Sequence, residues 1–169
     1  MTHALKFLRP GRVGPFTGVK WPEAGRWLAS NDEPQLCRSG IHALKTSSLP
    51  VWMTEELWRV ELEDAREVDG GIVIARRGRL VERVDAWNDN VAREYGEACV
   101  ARVPPGGPPI AHERRADAVA VLGSVRAGMT AAEIGYITAK AVEALTPGGY
   151  EAERRWQAAW LSDRLGLAL

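Results

Sequence analysis

Two stretches of the chain alternate apolar and polar positions with the two-residue period of a strand that buries one face. Ala4-Leu5-Lys6-Phe7-Leu8-Arg9 is the first, and Pro10-Gly11 ends it. The clearer one is Leu57–Glu63, where Trp58, Val60 and Leu62 alternate with Arg59, Glu61 and Glu63. Asp69-Gly70-Gly71 predicts a turn into the short apolar run Ile72–Ala75, a further strand, and Arg76-Arg77-Gly78-Arg79 then falls at its end or in the next turn. Between Gly11 and Pro34 the chain is broken up by Gly, Pro, Asn and Asp, which predicts a long loop, or short irregular elements, pinned by Phe16, Trp21 and Trp27.

Helical spacing takes over further on. Trp87, Val91, Tyr95 and Ala98 predict a helix within Val84–Val103, with Asp89 or Asn90 as its cap. Pro104-Pro105-Gly106-Gly107-Pro108-Pro109 reads as a stiff linker, since proline removes backbone donors and glycine weakens any regular element. Beyond it, Ala118, Val121, Leu122 and Val125 form one apolar face. Thr130-Ala131-Ala132-Glu133 predicts a capping box ahead of the stripe Ile134, Ile137, Ala141 and Leu145, and Thr146–Gly149 stops that helix. A last helix carries Trp156, Ala159 and Trp160 on one face. The expectation is an α+β fold: a small, mainly antiparallel sheet in residues 1–103, a linker at 104–109, and a two- or three-helix extension at 110–169. Those helices would dock on the sheet or on a partner, a second copy in a homodimer included.

Composition narrows the function classes. The chain has 169 residues, 46% of them hydrophobic and 26% charged, as in a folded protein with a real core. No run approaches the roughly 20 apolar residues of a membrane span, and the N-terminus lacks an apolar signal core, which predicts a cytoplasmic protein without membrane contact. Lys+Arg and Asp+Glu are equal at 22 each, so no basic body exists for phosphate backbones, and nucleic acid is not an expected partner. Two cysteines are too few for a disulfide framework.

The most informative local pattern is Cys37-Arg38-Ser39-Gly40-Ile41-His42-Ala43. A glycine two residues before a histidine lets the backbone turn sharply and present the imidazole at a fixed angle. His42 is then a general acid/base or hydrogen-bond donor with Cys37 as neighbour or nucleophile, or else a buried histidine bonded to backbone with Cys37 as a small core residue. Asp85 and Asp89, four apart, would share a helix face and hold a proton, water or cation, or else mark a helix start. Arg76, Arg77 and Arg79 would grip a phosphate or carboxylate, or else pair with Glu61, Glu63 or Glu82. Of the seven tryptophans, Trp21, Trp27 and Trp52 fall in loops and are the candidates for a cleft wall. Cys37, His42, Cys99 and His112 match no zinc-ligand spacing, so no metal is expected, and no motif names a cofactor.

The order L-C-x-x-G-I-H-A, L-W-x-V-E-L and I-A-R-R-G-R-L resembles a group of uncharacterised bacterial and phage proteins that share a C-x-x-G-x-H-A motif, a strand ending in V-E and an R-R segment. The resemblance spans roughly residues 5–103 and implies that Cys37, Gly40, His42, Glu61, Arg76 and Arg77 belong to one unit. A more distant likeness, to the ADP-ribosyltransferase-like fold, rests on the G-x-H pattern and implies chemistry on a nicotinamide nucleotide. The expected function is that of a bacterial enzyme acting on a small anionic or nucleotide-like molecule, with His42 as acid/base or orienting residue, Arg76 and Arg77 on the anion, and Trp21, Trp27 or Trp52 walling the cleft. The alternative is a non-catalytic module whose helices dock a partner.

Overall fold

The computed structural model describes residues 1–125 and 128–167. Seven strands form one antiparallel sheet: β1 (Thr2–Leu8), β2 (Trp27–Ala29), β3 (Ile41–Leu44), β4 (Glu56–Glu63), β5 (Arg66–Val68), β6 (Ile72–Ala75) and β7 (Arg77–Arg83), in the order β2-β7-β4-β1-β3-β6-β5. Four helices follow: α1 (Asp89–Ala101), α2 (Pro109–Leu122), α3 (Met129–Leu145) and α4 (Gly149–Leu165). This is the α+β architecture that the period change along the chain predicts. Among the described residues no helix is long and apolar enough to cross a membrane.

Alternation along each strand sends side chains to two faces, and both are apolar. Leu5, Phe7, Leu44 and Leu57 join Trp87, Tyr95, Ala118, Ile134 and Leu161 in a core between the sheet and the helices. Ala4, Leu8, Ile41, Ala43, Val60, Leu62, Val73 and Leu80 face the other way and are capped by Trp21, Leu28 and Ala65. The 11–34 segment is thus the cover of the second face. It also contains β2, a three-residue edge strand paired with β7 at Trp27–Arg79 and Ala29–Arg77, where the turn-rich composition predicts loop or short irregular elements.

Four further elements depart from the sequence expectation. β7 runs straight through Arg77-Gly78-Arg79 because Gly78 admits Leu62 of β4 against the backbone: a Cβ at Gly78 would lie 2.8 Å from the Leu62 side chain. Arg59 faces Glu82 while Val60 faces Leu80, which leaves Val81 as the extra residue of a bulge. The cap of α1 is Asn88, whose side chain accepts from the N–H groups of Asn90 and Val91, rather than Asp89 or Asn90. Thr130 is not the cap of α3: the helix begins two residues earlier than a Thr130 cap implies, behind Gly128, and no side chain among the described residues caps it. In α4 the buried face is Glu153, Gln157, Leu161 and Leu165, with Trp156 and Trp160 half-buried on its flank.

Residues 104–108 connect α1 to α2, and the helix-side core draws side chains from before and after them. Ala118, Val125, Ile134 and Leu161 are buried in this core and Val121, Leu122, Ile137, Trp156 and Trp160 are half-buried against it, whereas Ala159 is exposed. Trp87 ties the two layers of the core together: its ring meets Phe7 of β1 edge-on at 5.7 Å, and its indole N–H donates to the Thr54 carbonyl at 2.7 Å. Trp87→Ala is expected to lower stability by about 3–5 kcal/mol, read by urea unfolding, because a large fully packed ring leaves a cavity and an orphaned carbonyl.

Candidate functional site

The centre of the sheet is imperfectly zipped. β1 pairs with β4 along its whole length, from Thr2–Leu62 to Leu8–Glu56, and β3 pairs with β6 from Ile41–Ala75 to Leu44–Ile72. Between β1 and β3, however, the ladder is the single pair Leu5–Leu44. The two strands part beyond it, and Lys6 bridges the seam by donating from Nζ to the His42 carbonyl at 2.5 Å, a side chain in place of a ladder bond. A cleft of about 620 Å³ opens there.

His42 stands on β3 at the cleft wall because of the turn before it. Gln35 and Ser39 exchange N–H···O bonds of 3.1 Å in both directions, closing a tight loop with Cys37 at its tip in the left-handed region, φ +59°. Gly40 leaves the loop at φ +85°, and a Cβ there would stand 2.9 Å from Pro34 and 3.1 Å from the Ala75 carbonyl, so the position is closed to other residues. The chain is thereby turned so that the Cys37 N–H donates to His42 Nε2 at 3.1 Å. An accepting Nε2 carries no proton, which makes the imidazole the neutral form with its hydrogen on Nδ1. Desolvation lowers the His42 pKa, the Lys6 charge lowers it further, and the Gly40 and Gln35 carbonyls pull in the opposite direction. The turn that the G-x-H spacing predicts is present; the half-buried ring is committed to holding it.

Aromatic rings form the remaining wall. Trp52 meets His42 edge-on at 6.4 Å and Phe16 at 5.7 Å, and Trp21 lines the cleft from the cover of the second sheet face. Phe16 is 75% exposed, an unusual position for a phenyl ring unless something packs on it. The ionisable side chains lining the cleft are Lys6, Cys37, Arg38 and His42; no carboxylate lines it among the described residues. Cys37 is an exposed free thiol.

Sequence reasoning singles out a set of residues that the structure divides. His42, Cys37, Trp21 and Trp52 come together. Arg76 and Arg77 do not line this cleft: Arg76 pairs with Glu33 at 2.5 Å and Arg77 with Glu63 at 2.6 Å, while Arg79 pairs with Glu61. Trp27 lies with them, the Arg77 and Arg79 guanidiniums sitting 5.0 and 5.1 Å from its ring centre. Asp85 precedes α1 instead of sharing a helix face with Asp89, and lies 3.4 Å from Arg83. Cys99 is buried between helices, where desolvation pushes its thiol up to about 12. Within the unit implied by the C-x-x-G-x-H-A resemblance, Cys37, Gly40 and His42 share one turn, whereas Glu61, Arg76 and Arg77 belong to the ion pairs around β7. Among the described residues, no three His, Cys, Asp or Glu side chains cluster as a metal set.

Lys6 and Arg38 also line the cleft, and the pattern alone assigns neither to a site. Lys6 had a visible signal: it shares a strand face with Ala4 and Leu8, both buried, so a lone ammonium is set in an apolar row. Desolvation lowers its pKa to about 8. A lysine whose pKa is lower folded than unfolded binds fewer protons in the native state over that interval, so stability should rise as pH climbs from about 8 toward the ordinary lysine value. Unfolding free energy measured by urea titration across that range should show the rise in the wild type and a flatter profile in Lys6→Met. In comparisons with known proteins, the chain matches no family model, no curated protein and no solved structure.

Proposed function

We propose that the protein binds a small anionic molecule with a flat or aromatic portion, of the nucleotide-like class, in the cleft between β1 and β3. The observation that carries this reading is the lining: aromatic rings, the Arg38 guanidinium, the Lys6 amine, and no carboxylate among the described residues. A guanidinium selects for phosphate or carboxylate, and the carboxylate-free wall spares such a ligand like-charge repulsion. Trp52, with Phe16 edge-on against it, offers a face for a planar group. The volume suits a ligand of metabolite size.

His42 acts here as a positioning residue. Its Nε2 is occupied by the Cys37 N–H, so it keeps the 35–40 loop, and with it Arg38, at the mouth of the cleft. Acid/base work by His42 would require that bond to open. Arg76 and Arg77, neutralised by Glu33 and Glu63, are not the anion clamp in this reading.

The test is a thermal-shift series with adenosine monophosphate, benzoate and inorganic phosphate against adenosine and benzylamine. At about 100 times its Kd, an anion of the right class should stabilise the fold by about 2.7 kcal/mol, a rise on the order of 5–10 °C for a chain of this size. Arg38→Ala or Trp52→Ala should weaken binding by about tenfold or more and leave the unliganded melting temperature nearly unchanged for Arg38→Ala. Equal response to the neutral and cationic compounds, or no response to any anion, overturns the proposal.

A further inference from the structure

We infer that Lys6 is a nucleophilic amine that condenses with the carbonyl of an anionic aldehyde or 2-oxo acid held in the same cleft, forming an imine. The inference rests on the anion-binding reading of the cleft and adds a reaction to it.

Three features set Lys6 apart from the chain's other lysines. Lys45 pairs with Glu67, and Lys140 lies 2.7 Å from Glu143, which raises its pKa. Lys20 is exposed. Among the described residues Lys6 has no carboxylate partner and a single acceptor, the His42 carbonyl, and it lines a cavity. Burial of its ammonium on the cleft wall, with no counter-charge among the described residues, favours the free base. This is the environment that activates lysines for Schiff-base chemistry. As a neutral amine, Nζ keeps one hydrogen on the His42 carbonyl, which fixes its direction and leaves its lone pair available to a molecule in the cleft. The main-chain anchor is therefore a positioning device: it aims the amine without supplying a charge that would hold it protonated.

The reaction closes without an oxidant or reductant. The Nζ lone pair forms a bond to the carbonyl carbon while the C=O π pair moves to oxygen, and a proton passes from nitrogen to that oxygen by way of solvent. The resulting carbinolamine loses its hydroxyl as water as the nitrogen forms C=N and gives up its second proton. The sum is amine plus carbonyl to imine plus water. Arg38 meets the ligand's phosphate or carboxylate, and the aromatic wall takes its flat part. Pyridoxal 5′-phosphate and glyoxylate are probes that carry both the anion and the aldehyde, the first with a planar ring and the second without one.

The experiment treats the full chain with substoichiometric pyridoxal 5′-phosphate or glyoxylate and cyanoborohydride at about pH 7.5, then maps the reduced adduct by peptide mass spectrometry. A lowered amine pKa enlarges the free-base fraction, so Lys6 should be labelled at least about tenfold faster than Lys20, Lys45 or Lys140. Inorganic phosphate or adenosine monophosphate should slow that labelling. Lys6→Arg, which keeps the charge and the donor to His42, should fold and lose the adduct. Label spread evenly over the lysines, or Lys6 left unmodified while anions still raise the melting temperature, overturns this inference and leaves the binding reading standing. Selective Lys6 labelling that no anion slows overturns the binding reading and with it the substrate class assigned here. No stabilisation and no Lys6 label overturn both.

Discussion

The parting of β1 from β3 is the constraint on which the rest of the candidate site depends. Each of these strands is fully engaged on its outer side, β1 by β4 and β3 by β6, so the separation does not unravel the sheet. It exposes backbone groups that a continuous ladder would satisfy, and an unpaired buried carbonyl is costly. Lys6 answers that need at His42 from within the seam. One side chain thus closes a gap in the hydrogen bonding and places an amine on the cleft wall, and the chemistry proposed for the site follows from this dual role.

The turn at 35–40 is the second half of the device. Its shape is set by two positive-φ residues, Cys37 and Gly40, and by the imidazole that accepts from the Cys37 N–H. Because β3 begins at Ile41, directly after Gly40, the geometry of the turn passes to His42 and the seam without slack. The ion pairs of β7 form a separate layer of the structure. Arg77 and Arg79 face Glu63 and Glu61 across the β4–β7 ladder and pack on Trp27, an arrangement that protects a short edge strand. Charges matched in this way have little left to offer a ligand.

Much of this was legible in the chain because the relevant signals are local. The alternation in Leu57–Glu63, the Asp69–Gly71 turn and the stripes of the later helices each predict an element that is present. The aromatic residues Trp21 and Trp52 and the pair Cys37 and His42 reach the same cleft. β5 and β7 were hidden: three residues make no period, and the run Arg77-Gly78-Arg79-Leu80 resembles a turn until Leu62 is known to need the space at Gly78. Which cations line the cleft was hidden for a different reason. Arg76 and Arg77 stand out in the sequence as a cluster, but the partner of Arg77, Glu63, is fixed by the β4–β7 register, and that of Arg76, Glu33, by the path of the loop after β2, both long-range properties. Lys6 is visible in the sequence as a lone ammonium in an apolar strand row, but its place on the cleft wall shows only once β1 and β3 are seen to separate. The caps Asn88 and Gly128 differ from the expected Asp89 or Asn90 and Thr130 because small shifts of a helix start are decided by packing as much as by propensity.

The seam itself can be observed without any ligand. Through-hydrogen-bond scalar couplings in isotope-labelled protein report each backbone N–H···O=C pair directly. Couplings should run along β1/β4 and β3/β6 and, across β1/β3, be confined to the neighbourhood of Leu5 and Leu44. A continuous ladder joining Lys6–Leu8 to Ile41–Ala43 would contradict the account, because it would close the cleft and take the His42 carbonyl away from Lys6.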